Sequence, residues 1–212
     1  MFFIESDVSQ NNYLRFYMLA LAGIGLVSYA YCLIGWKFIH KPKEGIVSAL
    51  EKINGGVEEI KIVLSGGKQL EYRAGQFVFI QFLANDISSE WHPFSISSAP
   101  DTNGFSVVVK SLGDFTKKLE SLQSGTKVSI DGPYGRFNWQ RAEGHRQIWI
   151  AGGIGVTPFL SMAGDLKRKN FPVEVDFFYS VQNKSEAIFV EQLVSIALSS
   201  NGRFNFTPFY SS

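Results

Sequence analysis

The spacing of hydrophobic and polar residues divides the chain into three parts. Residues 16–36 are 21 consecutive positions without a charged side chain. From residue 43 onward, short segments of alternating hydrophobic and polar residues are separated by glycine-containing turns, a pattern typical of β-strands. From residue 146, short apolar segments alternate with longer amphipathic ones, which predicts strands and helices in turn.

The uncharged run predicts one transmembrane helix. At a rise of about 1.5 Å per residue it would extend roughly 30 Å, the thickness of a bilayer's hydrocarbon core. We predict an N-terminal tail at residues 1–12 and the helix at residues 13–38. Aromatic residues that favour the membrane interface lie near its ends, at Tyr13, Tyr17, Trp36 and Phe38. A signal peptide, which would begin with basic residues, and a buried helix of a soluble protein are the alternatives.

The charges beside this run predict its orientation. Arg15 precedes the run, whereas Lys37, Lys41 and Lys43 follow it. Because basic residues are enriched on the cytoplasmic side of a membrane, we expect a single-pass protein with its C-terminal part in the cytoplasm.

Residues 43–140 predict a small antiparallel β-barrel. We expect a hairpin that turns at residues 65–67, followed by a third strand at residues 77–82. Two further strands would be joined by a turn at residues 101–104. A short helix capped by Asp114 or Thr116 and a closing strand at residues 126–135 complete this part.

Residues 146–212 predict the order β-α-β-α-β, and therefore a parallel sheet with helical crossovers. The predicted strands are 147–153, 173–181 and 203–210, and the predicted helices are 157–170 and 185–200.

Composition excludes some classes of function. Lys and Arg number 20 against 19 Asp and Glu, a net charge of +1, so no basic surface is predicted for nucleic acid. A single cysteine, Cys32, and three scattered histidines predict neither an internal disulfide nor a metal site.

Two short segments carry the candidate chemistry. The turn after the first strand of the third part contains Gly152, Gly153 and Gly155, whose bare backbone would let a phosphate approach the start of a helix at Thr157 and Pro158. The segment "WHPFSISSAP" brings a ring, an imidazole and a hydroxyl together, groups that a flavin requires. Taken singly, each segment is equally compatible with an ordinary tight turn or with strand packing.

Four motifs in this order, "HPFSISSAP", "VKSLGDFT", "DGPYGRF" and "AGGIGVTPF", resemble the ferredoxin reductase-type flavoproteins, specifically the ferric reductase and NADPH oxidase branch. The resemblance covers residues 43–212 and implies an FAD-binding barrel followed by an NAD(P)-binding domain. It also implies hydride transfer from a nicotinamide to FAD and then release of single electrons to an acceptor. In that branch the preceding helix is the last of a haem-carrying membrane bundle, so haem-carrying helices are an expected partner.

The resemblance also implies roles for individual residues. Ser95 would lie near the reactive flavin N5, and Phe94 against the flavin ring. The FAD-binding set is His92, Pro93, Phe94, Ser95, Gly113, Asp114, Phe115 and Thr116. The nicotinamide dinucleotide, NADPH or NADH, would be held by Gly152, Gly153, Ile154, Gly155, Val156, Thr157, Pro158 and Ser180.

The sequence departs from the family pattern at two places. The family's nucleotide domain continues beyond a third strand, whereas the last strand predicted here is followed only by two serines, so a fragment that binds FAD or a partner without catalysis is the alternative function. Gln182 stands where a basic residue would meet the 2′-phosphate of NADP, so NADP is only mildly favoured over NAD. The sequence leaves the electron acceptor open.

Overall fold

The chain divides between Lys41 and Pro42 into two compact units. The structure, a computed structural model, describes residues 12–35, 41–54, 56–100 and 104–211. In the first unit, α1 spans Asn12–Ala30 and continues into a π-helical turn at Tyr31–Gly35. The helical segment Asn12–Leu33 is long and apolar enough to cross a membrane, and none of it is buried. Trp36 and Phe38, predicted for one end of the helix, lie outside the described residues.

The second unit begins with six antiparallel strands. They are β1 (Lys43–Asn54), β2 (Val57–Leu64), β3 (Phe77–Leu83), β4 (His92–Ser95), β5 (Phe105–Lys110) and β6 (Lys127–Tyr134). Their order in the sheet is β4-β3-β6-β1-β2-β5. Every second side chain points into one apolar core, which includes Ile60, Ile80 and Ile130. The antiparallel FAD-domain architecture predicted from the sequence is confirmed.

The first hairpin lies elsewhere than predicted. Asn54 of β1 is opposite Val57 of β2, so the chain reverses direction around Gly56 rather than at residues 65–67. The prediction was wrong because β5 pairs with the second edge of β2, which leaves no edge for a strand after residue 67. The predicted turn at residues 101–104 lies mostly outside the described residues.

The short helix after β5, α2 (Asp114–Lys118), is capped differently from the prediction. Its N-cap is Gly113, so neither Asp114 nor Thr116 holds that position. Thr116 Oγ1 instead accepts hydrogen bonds from the N–H groups of Leu112 and Gly113, both at 3.0 Å. The threonine therefore fixes the approach to α2 from within the first helical turn.

In the rest of the second unit, strands alternate with helices, and both helices pack against the same face of the sheet. Its elements are β7 (Arg146–Gly152), α3 (Thr157–Arg168), β8 (Glu174–Val181), α4 (Val190–Leu198) and β9 (Phe204–Tyr210). The strands are parallel in the order β7-β8-β9, which confirms the predicted parallel sheet. Helix α4 begins five residues later than predicted, because Phe189 has a left-handed backbone with φ of 58°.

Hydrogen bonds join helix α3 of the parallel-sheet segment to the barrel and to the connection that follows the barrel. Trp139 Nε1, in that connection, donates to Asp165 Oδ2 of α3 at 2.9 Å. Ser161 Oγ of α3 donates to the carbonyl of Ser98. These contacts fix the position of α3 against the strand that carries the predicted flavin residues.

Replacing Gly75 with alanine is expected to destabilise the fold by about 2 kcal/mol. Gly75 has φ of +94°, and a Cβ there would clash with the carbonyl oxygen of Phe137. The control is Gly66→Ala, at φ of +73° with no atom within 4 Å of the added Cβ. Chemical denaturation should show a loss of about 1 kcal/mol for the control, and equal losses would contradict the role of the close contact.

Candidate functional site

The barrel is open along a seam between β4 and β5. The two strands meet at a bridge between Ile96 and Val107 and at the hydrogen bond from Ser97 N–H to the carbonyl of Ser106, 2.8 Å. Beyond this point, no backbone hydrogen bond joins β4 to β5 among the described residues. The unpaired edges therefore offer backbone donors and acceptors to a flat polar ligand, and α2 follows β5 at the end of the seam.

His92 lies on β4 at this seam, and its Nε2 atom has no hydrogen-bond partner among the described residues. Its ring stacks on Phe115 of α2, with ring centroids 3.5 Å apart and planes inclined by 22°. His92 Nε2 is buried and makes no hydrogen bond with the described residues. The carboxylate oxygen Glu90 Oε2 is 3.5 Å away, beyond the usual range for N–H···O hydrogen bonds. A buried nitrogen without a partner is a group suited to contact a ligand.

The other predicted residues of β4 divide between its two faces. Phe94 shares a face with His92, and its ring meets Phe82 edge-on at 6.1 Å. Pro93 and Ser95 point the other way, with Pro93 exposed and Ser95 opposite Phe77 of β3. Because β4 is an edge strand, both faces border the seam.

An aromatic cluster beside Ser95 was not found from the sequence. Phe77, Phe79 and Tyr134 have ring centroids 5.7 to 6.0 Å apart. Tyr134 Oη donates to Asp131 Oδ1 at 2.8 Å, and burial together with this acidic neighbour raises the pKa of Tyr134 to about 12. The alternation of β3 could have indicated this cluster, since Phe77 and Phe79 alternate with the buried Val78 and Ile80.

The glycine-rich turn has an open backbone. It spans Gly153–Val156 between β7 and α3. Gly153 has φ of +49°, whereas Gly152 and Gly155 do not adopt positive φ. A Cβ built on any of the three glycines meets no atom of the described structure within 4 Å, so there is open space beside each of these three residues. The start of α3 thus presents backbone N–H groups to an anion, with Pro158 in the first helical turn, where no N–H is needed.

The remaining side chains of the turn have structural contacts. Thr157 Oγ1 donates to the carbonyl of Ile154 at 2.7 Å, so this hydroxyl closes the turn. Val156 is buried in the apolar core, and Ile154 packs against the same core. Val156 could therefore contact a ligand only through its backbone, whereas the half-buried Ile154 also lines a cavity beside the turn.

The parallel register brings Ser180 to the same edge as the turn. Ser180 of β8 is beside Gly152 of β7 and beside Phe209 of β9. These positions are the carboxyl ends of neighbouring parallel strands, where ligands bind in open α/β sheets. Ser180 is exposed there.

The glycine-rich turn lies beside the end of β5, one of the two strands that border the seam. Gly153 and Ile154 line a cavity of about 180 Å³ together with Lys110, the last residue of β5. Asn54 Nδ2 of β1 donates to the carbonyl of Ser185 at 2.9 Å, which holds the loop after β8 against the barrel. The turn and the loop after β8 therefore lie against the end of the barrel formed by β1, β2 and β5, and this cavity is lined by none of the residues predicted for FAD.

Comparison with known proteins identifies the class that this geometry defines. Residues 47–138 match the model of an FAD-binding domain, and residues 149–212 match that of an oxidoreductase NAD-binding domain. The chain therefore belongs to the FAD- and NAD(P)-binding flavoprotein oxidoreductases, as the sequence motifs indicated. The prediction of FAD and a nicotinamide cofactor is confirmed at the level of these domains.

Relatives among curated proteins are NADPH oxidase-type proteins. Dual oxidase 2 of Rattus norvegicus is 31% identical over 137 residues, 57% of this chain and 9% of that protein. Respiratory burst oxidase homolog protein D of Solanum tuberosum is 30% identical over 171 residues, 71% of this chain and 18% of that protein. The chain thus spans less than a fifth of the length of these relatives.

Solved structures share the fold of the second unit. The flavohem-like FAD/NAD-binding domain of nitric oxide dioxygenase from Vibrio cholerae has a TM-score of 0.70 at 20% identity, covering 79% of this chain and 73% of that chain. The cytochrome b5 reductase domain of Ulva prolifera nitrate reductase also has a TM-score of 0.70, at 23% identity, covering 80% and 73%.

Proposed function

We propose that the chain is a membrane-anchored oxidoreductase domain that passes electrons from NADPH or NADH through FAD to a metal, haem or protein acceptor. The observation that carries the proposal is the open glycine-rich turn next to the open barrel seam. A nicotinamide dinucleotide seated on one and a flavin seated on the other would be neighbours, as direct transfer between them requires.

The residues along the seam fit FAD. The unpartnered Nε2 of His92 and the open strand edges supply polar contacts, while Phe94 and the cluster around Tyr134 supply apolar surface. We assign FAD to His92, Pro93, Phe94, Ser95 and the segment Gly113, Asp114, Phe115 and Thr116. When bound, FAD supplies the chemistry that accepts a hydride and releases electrons one at a time.

The chain's own contribution is binding and positioning. The backbone of Gly152, Gly153 and Gly155 would hold the dinucleotide's phosphates, and Ser180 would contact its ribose side. Ser95 Oγ, which makes no hydrogen bond with the described residues, would orient the reacting ring. Restricting two rings to one geometry is the main catalytic effect available to such a site.

The membrane assignment rests on α1 and on the charges beside it. The helix is apolar, and the segment Asn12–Leu33 contains no buried residue. We propose a tail at 1–12, a membrane helix at 13–38, the FAD barrel at 43–140 and the nucleotide domain at 146–212. The barrel and nucleotide domain would lie in the cytoplasm, with haem-carrying membrane helices as a partner.

A second candidate function is a non-catalytic FAD-binding or partner-docking domain. The observation that favours it is the uncovered face of β7, where Ile148 and Ile150 are 68% and 72% exposed. A parallel sheet normally has both faces covered. With one face of β7 exposed, the sheet would hold the nicotinamide in a position that does not allow transfer to the flavin. Steady-state reduction of ferricyanide by NAD(P)H at an ordinary enzymatic rate would exclude this candidate.

Replacement of Ser95 by leucine is expected to slow flavin reduction by NAD(P)H at least about tenfold, because the larger side chain would displace the ring from its productive position. Stopped-flow absorbance of the FAD-loaded chain measures this rate. The control is Ser88→Leu, at an exposed loop position before β4, which should leave the rate unchanged. A rate unaltered in Ser95→Leu would remove Ser95 from the site.

A further inference from the structure

Three arginines surround one cleft of the barrel, away from the residues assigned to FAD and nicotinamide. Arg73, Arg136 and Arg141 line a cavity of about 420 Å³. The other lining residues are Glu71, Tyr72, Gln76, Gly135 and Asn138. None of them belongs to the predicted cofactor sites, so the cleft requires an explanation of its own.

The three guanidinium groups have no acidic partner within the described residues. No ion pair involves Arg73, Arg136 or Arg141, and their hydrogen bonds are made by the backbone. Glu71 is the single acidic residue in the lining, so three positive charges and one negative charge leave two in excess. Like charges in one cleft repel each other, and the attraction of a bound anion to all three arginines would offset that repulsion.

The cleft is held in shape by hydrogen bonds beneath the arginines. Gln76 Oε1 accepts from the N–H of Arg73 at 2.8 Å, and Gln76 Nε2 donates to the carbonyl of Gly135 at 3.0 Å. One side chain therefore ties the segment that carries Arg73 to the segment that carries Arg136. A site fixed before binding loses less conformational entropy when the ligand arrives.

The wall of the cleft also contains an acceptor without a donor. Asn138 is 8% exposed, and its Oδ1 makes no hydrogen bond with the described residues. The backbone carbonyl of Asn138 accepts from the N–H of Arg141 at 3.3 Å, which places that arginine beside it. A ligand hydroxyl could supply the missing donor.

We propose that this cleft binds a phosphate ester on a hydroxyl-bearing carrier, either a free sugar or polyol phosphate or the headgroup of a phosphoinositide lipid. Arginine forks match the planar, bidentate geometry of phosphate oxygens better than a point charge does. The volume lies within the range of small-ligand sites. The proposal is independent of the redox function, since it uses none of the same residues.

The test uses the full chain in detergent, saturated with FAD and NADP⁺ so that both cofactor sites are filled. Inositol 1,4,5-trisphosphate is titrated by calorimetry. Each of the changes Arg73→Gln, Arg136→Gln and Arg141→Gln should weaken binding about tenfold. Glu71→Gln should strengthen binding, because it removes the negative charge from the lining. The matched control is Lys127→Gln, an exposed cation of β6 outside the cleft, with an expected change below about twofold.

A second measurement distinguishes the two sources of phosphate. The melting temperature of the chain is compared in nanodiscs of phosphatidylcholine with either phosphatidylserine or phosphatidylinositol 4,5-bisphosphate added. A higher melting temperature with the phosphoinositide identifies the lipid, and equal values together with binding of the soluble probe identify a free phosphate ester.

Three results would overturn the proposal. The first is the absence of calorimetric binding of inositol 1,4,5-trisphosphate together with equal melting temperatures in the two nanodisc preparations. The second is binding that the three arginine changes leave intact. The third is binding of polyglutamate through the arginines without binding of phosphate esters, which would make the cleft a surface for an acidic protein.

Discussion

Replacement of Gly153 by valine is expected to slow flavin reduction by NAD(P)H at least about 100-fold, a barrier increase of about 2.7 kcal/mol. Gly153 has φ of +49°, a conformation that β-branched residues strongly disfavour. The turn would have to move, and the new side chain would occupy the open space beside Gly153 where the dinucleotide is proposed to bind. Anaerobic stopped-flow absorbance with saturating FAD measures the effect.

The control for this change is Gly144→Val. Gly144 has φ of +91° with no atom within 4 Å of an added Cβ, so it carries similar backbone strain outside the nucleotide turn. It should reduce flavin at the rate of the unaltered chain. FAD affinity and reduction by dithionite should be the same in both variants. If Gly153→Val stays within about threefold of the unaltered rate, the turn does not seat the dinucleotide.

Replacement of Asp165 by alanine is expected to lower the free energy of unfolding by about 3 kcal/mol. The Asp165 carboxylate is almost fully buried and accepts hydrogen bonds from Trp139 Nε1, Arg168 and Lys169. Removing it leaves the indole N–H without an acceptor at the junction between barrel and sheet. The loss is smaller than for a fully buried pair, because the two cations are partly exposed to solvent.

Chemical denaturation of Asp165→Ala should be compared with Asp176→Ala. Asp176 also accepts from a basic residue, Arg146, but that arginine is 72% exposed. We expect a loss below about 1 kcal/mol for Asp176→Ala. Equal losses in the two variants would contradict the role assigned to the buried junction.

The contribution of Asp165 to the free energy of unfolding should decrease as the pH falls. Burial alone would raise the pKa of Asp165, but hydrogen bonds from Arg168, Lys169 and Trp139 outweigh it and hold the pKa below its ordinary value. A folded-state pKa below the unfolded-state value, near 3.9, adds stability that is complete above that pH and is lost as the pH falls through the folded-state pKa. The stability difference between the unaltered chain and Asp165→Asn should therefore shrink below about pH 4. A difference that stays constant from neutral to acid pH would contradict this assignment.

The parallel half of the fold could be predicted because its sequence changes period sharply. Apolar strands such as β8 alternate with amphipathic helices such as α3, and glycines mark the turn between β7 and α3. The start of α4 could not be predicted in this way, because Phe189, which packs against the core, has a left-handed backbone that is uncommon for a residue other than glycine.

The barrel was harder to predict. Strand β1 is absent from the sequence prediction because register irregularities after Val47 and after Lys52 interrupt its alternation. Gly66 and Gly67 are a stronger sequence signal for a turn than the segment around Gly56, where the chain in fact reverses direction. The second edge of β2 pairs with β5, which is distant in the sequence, so no local sequence pattern could predict this pairing.

The sequence predicted which segments form the candidate site, but not how their side chains are arranged. The residues 92–95, 113–116 and 152–158 were identified from motifs, and all three segments lie in the second unit. The sequence could not show that Thr157 Oγ1 is used within the turn, or that Phe77, Phe79 and Tyr134 gather beside Ser95. Those details depend on register and on side-chain packing.

The most direct test of the proposed function is the absorbance spectrum of the FAD-loaded chain in detergent, followed without oxygen after addition of NADPH and, separately, of NADH. Our account predicts that the flavin absorbance bleaches, with the faster nucleotide identifying the donor. A flavin that binds but stays oxidised with both nucleotides would contradict the account and would favour the non-catalytic FAD-binding domain.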